Sequence, residues 1–231
     1  MSTTTNGVKL MDPVASSQGV PTGNFVQSSP IVILNRFTSI EKMFEILSEE
    51  KLRMSDYHYW EDKNDVSLLD EYKAKVGIKS LFVLCLTDDS ETIHHWGSFS
   101  EKLNACCIEF DVKKLLGSIS RDKSLRYGKV KYIRIKDLKR ELTNVTDIPF
   151  SKRFPYRNES EYRIIFESQK AKKEKVTIVN HEMIKRITIN QHIAKDVFNL
   201  IKREIEGKYK IKVNRSTVIN NKTWINYVKN M

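Results

Sequence analysis

The segment Phe150–Glu167 (FSKRFPYRNESEYRIIFE) gathers more chemistry-bearing residue types than any other stretch of the chain: Lys152, Arg153 and Arg157, the rings of Phe154, Tyr156 and Tyr162, and the carboxylates Glu159 and Glu161. Two carboxylates two residues apart at the start of a strand can divide acid–base and electrostatic work, one facing a cleft while the other turns outward. A one-residue shift exchanges their sides, so the sequence leaves open which of Glu159 and Glu161 faces inward. The competing reading is a solvated edge strand with compensating charges. A second candidate is Arg36, placed just beyond an apolar run and just before a helix cap. An arginine there offers a bidentate fork to a phosphate or carboxylate, and an ion pair with Glu161 is its alternative use.

Two aromatic segments come next. In His94-His95-Trp96-Gly97-Ser98-Phe99 the rings of Trp96 and Phe99 share a helical face, which suits either core packing or a stacking platform, and no partner that would orient His95 as a base is identifiable. Tyr57 to Asp65 (YHYWEDKND) reads as an aromatic then acidic loop, either touching a ligand or folded as a lid onto the core. The cysteines, Cys85, Cys106 and Cys107, lie in apolar runs without a Cys-x-x-Cys spacing, and the five histidines have no metal-binding spacing. These patterns predict buried thiols and no metal. A nuclease would need Asp62, Asp65, Glu159 and Glu161 to meet around a metal ion.

These residues need elements to hold them. Ile31–Leu34 reads as a first strand, and Thr38 with Glu41 as a capping box opening a helix from about 39 to 50, with Ile40, Met43, Phe44 and Leu47 at i, i+3, i+4 and i+7. Leu52–Ser55 reads as a brief strand, Ser80–Thr87 as a buried central one, and 91–101 as a short helix. Ala105–Asp111, Gly128–Ile135, Glu161–Glu167, Lys175–Val179 and Arg186–Ile189 follow as strands. Ile193 to Ile205 form an amphipathic helix closed by Gly207, with a last strand at Tyr209–Val213. Strands outnumber helices at irregular spacing. That predicts an α+β fold: one domain over 30–231, built on a mixed, mostly antiparallel sheet with flanking helices, after a disordered leader at 1–29.

The chain has 231 residues and a formal charge of +11. Fifteen Lys and Arg against five Asp and Glu from residue 170 onward account for +10 of it. Lys170, Lys172 and Lys173, then Lys208, Lys210 and Lys212, are therefore the candidate nucleic-acid contacts, the last three alternating onto one strand face. Eight Gly and five Pro exclude collagen-like and low-complexity classes. No run of about 18 apolar residues suggests a membrane span and no secretory signal is visible, so a cytoplasmic protein is expected.

The series Arg36-Phe37, Leu52 to Ser55, Asn64-Asp65, Leu84 to Thr87, Trp96 with Phe99, Cys107 to Asp111, Lys152, and Glu159 to Arg163 resembles a bacterial and phage family catalogued as domain of unknown function two-nine-seven-one, over about residues 31 to 215. Val66-Ser67-Leu68 stands where that family has Pro-Phe-Glu, and the Gly often preceding Cys-Ile-Glu-Phe-Asp is absent. The order of Arg, Ser and Glu-x-Glu is in turn similar to the Arg-Ser-Glu pattern of ADP-ribosyltransferases. That likeness implies an ADP-ribosyltransferase-like fold and NAD as substrate. Arg36 would anchor the NAD phosphates or ribose, Ser55 would orient, Glu161 would be the catalytic carboxylate and Glu159 would lie nearer the acceptor, with Trp96 or Tyr59 stacking on nicotinamide. It further implies a toxin or defence effector with a protein or nucleic-acid acceptor and an antitoxin or regulatory partner. The alternative expectation is a nucleic-acid-binding protein or nuclease using the basic C-terminal portion.

Overall fold

Continuous apolar runs build the centre of the sheet. In Ser80–Thr87 (β3) nearly every side chain is buried because both faces of the strand are covered. The computed structural model describes residue 31, residues 33–98 and residues 104–231; the expected leader and Phe99 fall outside them. In chain order the further elements are Ile33–Ser39 (β1), Ile40–Glu49 (α1), Lys51–Arg53 (β2), Lys63–Val76 (α2), Ile93–Ser98 (α3), Ala105–Asp111 (β4), Val112–Ile119 (α4), Leu125–Lys129 (β5), Lys131–Ile133 (β6), Leu138–Glu141 (α5), Ser151–Arg153 (β7), Glu161–Ser168 (β8), Val176–Ile178 (β9), Ile184–Ile189 (β10), Lys195–Tyr209 (α6), Lys212–Arg215 (β11) and Lys222–Lys229 (α7). Ile31–Met231 form one compact unit.

The fold is α+β. A seven-stranded sheet runs β11-β10-β4-β1-β3-β8-β5, antiparallel throughout except for the β10–β11 pair. One face, carrying Leu34, Leu84, Ile108, Ile164 and Ile187, packs on α1, α4 and α6. On the other face two smaller clusters form apart from each other. Leu81, Val83 and Ile165 meet Leu69 and Tyr72 of α2 together with Tyr57, while Phe37 and Cys107 meet Trp96 of α3. No helix among the described residues is long and apolar enough to cross a membrane.

The sheet is two half-sheets joined at a seam. β1 pairs with β4 from Ile33↔Asp111 to Ser39↔Ala105, and β3 pairs with β8 from Ser80↔Ser168 to Thr87↔Glu161, but β1 meets β3 only at Asn35↔Thr87. Beyond that pair a different segment takes the open edge of β3: the Ser55 amide donates to the Val83 carbonyl at 2.7 Å and the Val83 amide to the Ser55 carbonyl at 3.0 Å. β1 is thereby displaced and the two halves diverge.

Several expectations are corrected. Arg36 lies within β1, which extends to Ser39, and Ser39 rather than Thr38 caps α1 by accepting from the Lys42 amide. β8 lies between β3 and β5, so the edge-strand reading of 161–167 is wrong. The stretch 128–135 splits into β5, which pairs with β8, and β6, which pairs with β7; the Val130 amide, donating to the Glu161 carbonyl at 2.9 Å, is the last bond of the β5–β8 pairing. Gly207 lies inside α6, and Lys210 ends the helix in the left-handed region (φ 60°). Lys208, Lys210 and Lys212 thus belong to a helix, a cap and a strand, not to one strand face.

The supposed loop 56–65 instead leads into α2, which Asp62 caps by accepting from the amides of Asn64 and Asp65 and which ends at Gly77 with φ 67°. An added Cβ at Gly77 meets nothing, so only backbone conformation opposes it. Gly77→Ala is expected to lower stability by about 1 kcal/mol in urea denaturation, the cost of a left-handed residue with a side chain.

Candidate functional site

Where the half-sheets part, a cleft of about 840 Å3 opens between the α2 and α3 clusters. Arg36, Ser55, Tyr59, Glu159 and Glu161 all line it, with Trp60, Tyr156, Lys42 and Lys152. Five residues spread over more than a hundred positions of sequence therefore converge. The seam explains the convergence: Ser55 is fixed by its backbone bridge to β3, and Arg36 reaches across the gap to donate through Nη1 to the Cys85 carbonyl at 3.3 Å. Burial draws the Arg36 guanidinium pKa down, its Nε is buried without a hydrogen-bond partner, and among the described residues it has no carboxylate partner. A guanidinium so placed offers its fork to the cleft.

The acidic side of the cleft is a cluster of three carboxylates and two cations. Arg163, fully buried, donates from Nε to Glu161 Oε1 at 2.8 Å, from Nη2 to Glu161 Oε2 at 2.9 Å, from Nη1 to the Pro149 carbonyl at 3.0 Å, and to both oxygens of Asp65. Lys152 Nζ lies 2.6 Å from Glu159 Oε2, 3.5 Å from Glu161 Oε2 and 3.6 Å from Asp65 Oδ2. With every member ionised the cluster carries one net negative charge. Burial alone would raise the Glu161 pKa, but Arg163 and then Lys152 overcome it and hold the group at about 2. At Glu159 burial prevails over Lys152 and raises the pKa.

Strand alternation does not govern the two glutamates. Glu159 ends a 3-10 helix and Ser160 adopts a left-handed conformation (φ 44°), so both carboxylates turn toward Lys152. Tyr132 Oη accepts from the Glu161 amide at 2.7 Å, and His95 Nε2 lies 3.2 Å from the Glu159 carbonyl oxygen. His95 is thus a buried support for the backbone of Glu159.

Three expectations change here. Glu161 is paired with Arg163, not with Arg36. Trp96 does not line the cleft: it is buried, meets Phe37 edge-on at 5.1 Å and donates through Nε1 to Glu91 at 3.0 Å. The aromatic wall is instead Tyr59, Trp60 and Tyr156, with the Arg163 guanidinium 5.4 Å from the Trp60 ring centre. As for the acidic group sought for a nuclease, Asp65, Glu159 and Glu161 do meet, but around Lys152 and Arg163, while Asp62 is engaged in capping α2.

The role of Arg163 went unnoticed in the sequence, although its position two residues after Glu161 places both on one face of a strand. The helical cap at Asp62, the Leu69, Tyr72 and Val76 spacing and the closing Gly77 were the signals for α2, whose first turn delivers Asp65. The candidate lysines lie away from this cleft. Lys170, Lys172 and Lys173 follow the end of β8 opposite Glu161, and Lys208 and Lys210 precede β11 while Lys212 begins it, five strand positions from β8. No protein-family model matches the chain, and no curated protein or solved structure matches it either.

Proposed function

We propose that the chain is an ADP-ribosyltransferase-like enzyme, in fold and chemistry, that cleaves the nicotinamide–ribose bond of NAD and transfers ADP-ribose to a macromolecule, acting as a toxin or phage-defence effector. The observation that supports this reading is the meeting of an arginine without a carboxylate partner among the described residues, a serine and two glutamates in one aromatic-walled cleft at the seam of a split sheet.

In this reading Arg36 holds the NAD phosphates, the Ser55 hydroxyl orients the ribose, and the rings of Tyr59, Trp60 and Tyr156 flank nicotinamide. When the glycosidic C–N bond breaks, its electron pair leaves with nicotinamide and positive charge develops on the ribose. Glu161, ionised at neutral pH and part of a cluster with residual negative charge, stabilises that charge where it appears. Glu159, whose raised pKa makes it the more basic of the two, takes the proton from the attacking acceptor.

Incubation of the protein with NAD is expected to release nicotinamide, followed by chromatography. Intact NAD after trials with protein, RNA and DNA acceptors would overturn the reading. Arg36→Ala is expected to raise KM for NAD by about tenfold or more with a smaller change in kcat, since a phosphate anchor acts on ground state and transition state alike.

A further inference from the structure

Beside the carboxylate cluster lies a second group of residues that the cleft chemistry does not use. β6 and β7 pair in parallel, with Ile133↔Arg153 as their last register pair, and β7 runs directly into the 3-10 helix Phe154–Glu159. Arg134 and Arg157 are thereby brought onto Phe154, with Arg153 immediately before it in the chain. The Arg134 guanidinium lies 4.3 Å and the Arg157 guanidinium 4.6 Å from the centre of that one ring. All three arginines are exposed, and among the described residues none pairs with a carboxylate. The nearby acids are already taken: Asp137 by Arg140, and Glu141 by Arg140 and Lys131. Two of these uncompensated like charges share one aromatic ring with the third beside them in the chain, and they repel one another unless an anion joins them.

We infer that the rim of Arg134, Arg153 and Arg157 around Phe154 binds single-stranded nucleic acid and presents it to the Glu159 end of the cleft as the acceptor; the acceptor role rests on the transferase reading, the binding site does not. Guanidinium forks match phosphate geometry, and unpaired bases stack on exposed arginine planes as well as on rings, which an acidic protein would not require. Position supports the same choice. Arg153 follows Lys152 of the carboxylate cluster, Arg157 precedes Glu159 by two residues, and Tyr156 between them lines the cleft. The tail lysines have no guanidinium fork and lie elsewhere: Lys208 sits over the Tyr209 ring and Lys210 Nζ donates to the Gly207 carbonyl, next to the edge strand β11.

The test is fluorescence anisotropy of the full chain with labelled single-stranded RNA and DNA oligonucleotides of one sequence, without NAD, so that the result does not depend on whether the cleft cleaves NAD. Arg134→Ala/Arg153→Ala/Arg157→Ala is expected to weaken binding at least about tenfold and to reduce the salt slope by about 2, as three lost phosphate contacts would. Lys208→Ala/Lys210→Ala/Lys212→Ala is expected to change affinity by less than about twofold. A triple Arg→Lys variant, which keeps charge and fold but loses the fork, is expected to bind about threefold more weakly than the parent. Unchanged binding by both arginine variants, loss confined to the lysine variant, or capture of an acidic peptide with no affinity for either oligonucleotide would each overturn the proposal.

Discussion

Glu161→Gln is expected to lower nicotinamide release from NAD by about a hundred- to a thousandfold, the range for removing one preorganised electrostatic partner of a transition state. Glutamine keeps the shape and can still accept one of the two Arg163 hydrogen bonds through its single oxygen, so circular dichroism should show a folded protein. Glu159→Gln separates the two carboxylates. Release to water is expected to stay within about tenfold of the parent, whereas transfer to a macromolecular acceptor is expected to fall by about a hundredfold or more, the range for a missing general base. Glu159 titrates above the ordinary carboxylate value, so transfer should decline on acidification before release does, because Glu161 stays ionised down to about pH 2. Equal losses of release and transfer in Glu159→Gln would contradict this division.

Arg163→Met is expected to destabilise the fold by about 3–5 kcal/mol, because it leaves Asp65 and Glu161 buried with only Lys152 to balance them. For a domain of this size that is a fall in Tm of about 10 °C, read by thermal circular dichroism. Asp65→Asn in the same chain should recover part of the loss, and a double-mutant cycle measures the coupling. The parent's acid response follows from the sign of the Glu161 shift. Its folded pKa of about 2 lies below the ordinary 4.5, so its contribution is complete above 4.5 and is lost as pH falls from there toward 2. That contribution is on the order of 3 kcal/mol. Glu159 acts with the opposite sign: its raised pKa lessens stability as pH rises through it. Arg163→Met should therefore lessen the parent's loss of stability between pH 4.5 and 2 by the share that Glu161 contributes, while Asp122, held low by Lys175 and Ser124, keeps its own.

Much of the scaffold was legible because its signals are local. Ser80–Thr87 and Ala105–Asp111 are apolar runs of strand length, and α1 follows from Met43, Phe44 and Leu47. α2 was missed because its buried side includes Asp65, a residue that periodicity counts as polar, and because its apolar stripe is narrow. The C-terminal strand was misplaced because Gly207 looks like a helix stop, whereas Lys210 supplies the left-handed cap. Arg36, Ser55, Tyr59 and the two glutamates do line one cleft, but the partners of the glutamates there are not the one the sequence suggested. Pairing of Glu161 with Arg163 and of Asp65 with both cations depends on the register of β8 and the docking of α2, which no local pattern encodes. Trp96 failed as a stacking residue for the common reason that a large ring at helical spacing is held by its own core.

The single pair Asn35↔Thr87 also has a kinetic meaning. Amide hydrogens in the β4–β1 ladder and in the β3–β8 ladder are each locked by continuous pairing, but no continuous ladder crosses from one set to the other. Hydrogen–deuterium exchange should then resolve two blocks of slow amides that open independently, with the earliest labelling along the inner edge of β1 between Arg36 and Ser39. A ligand seated in the seam would bridge the blocks and slow that edge first, so the same isotope experiment reports occupancy without any turnover.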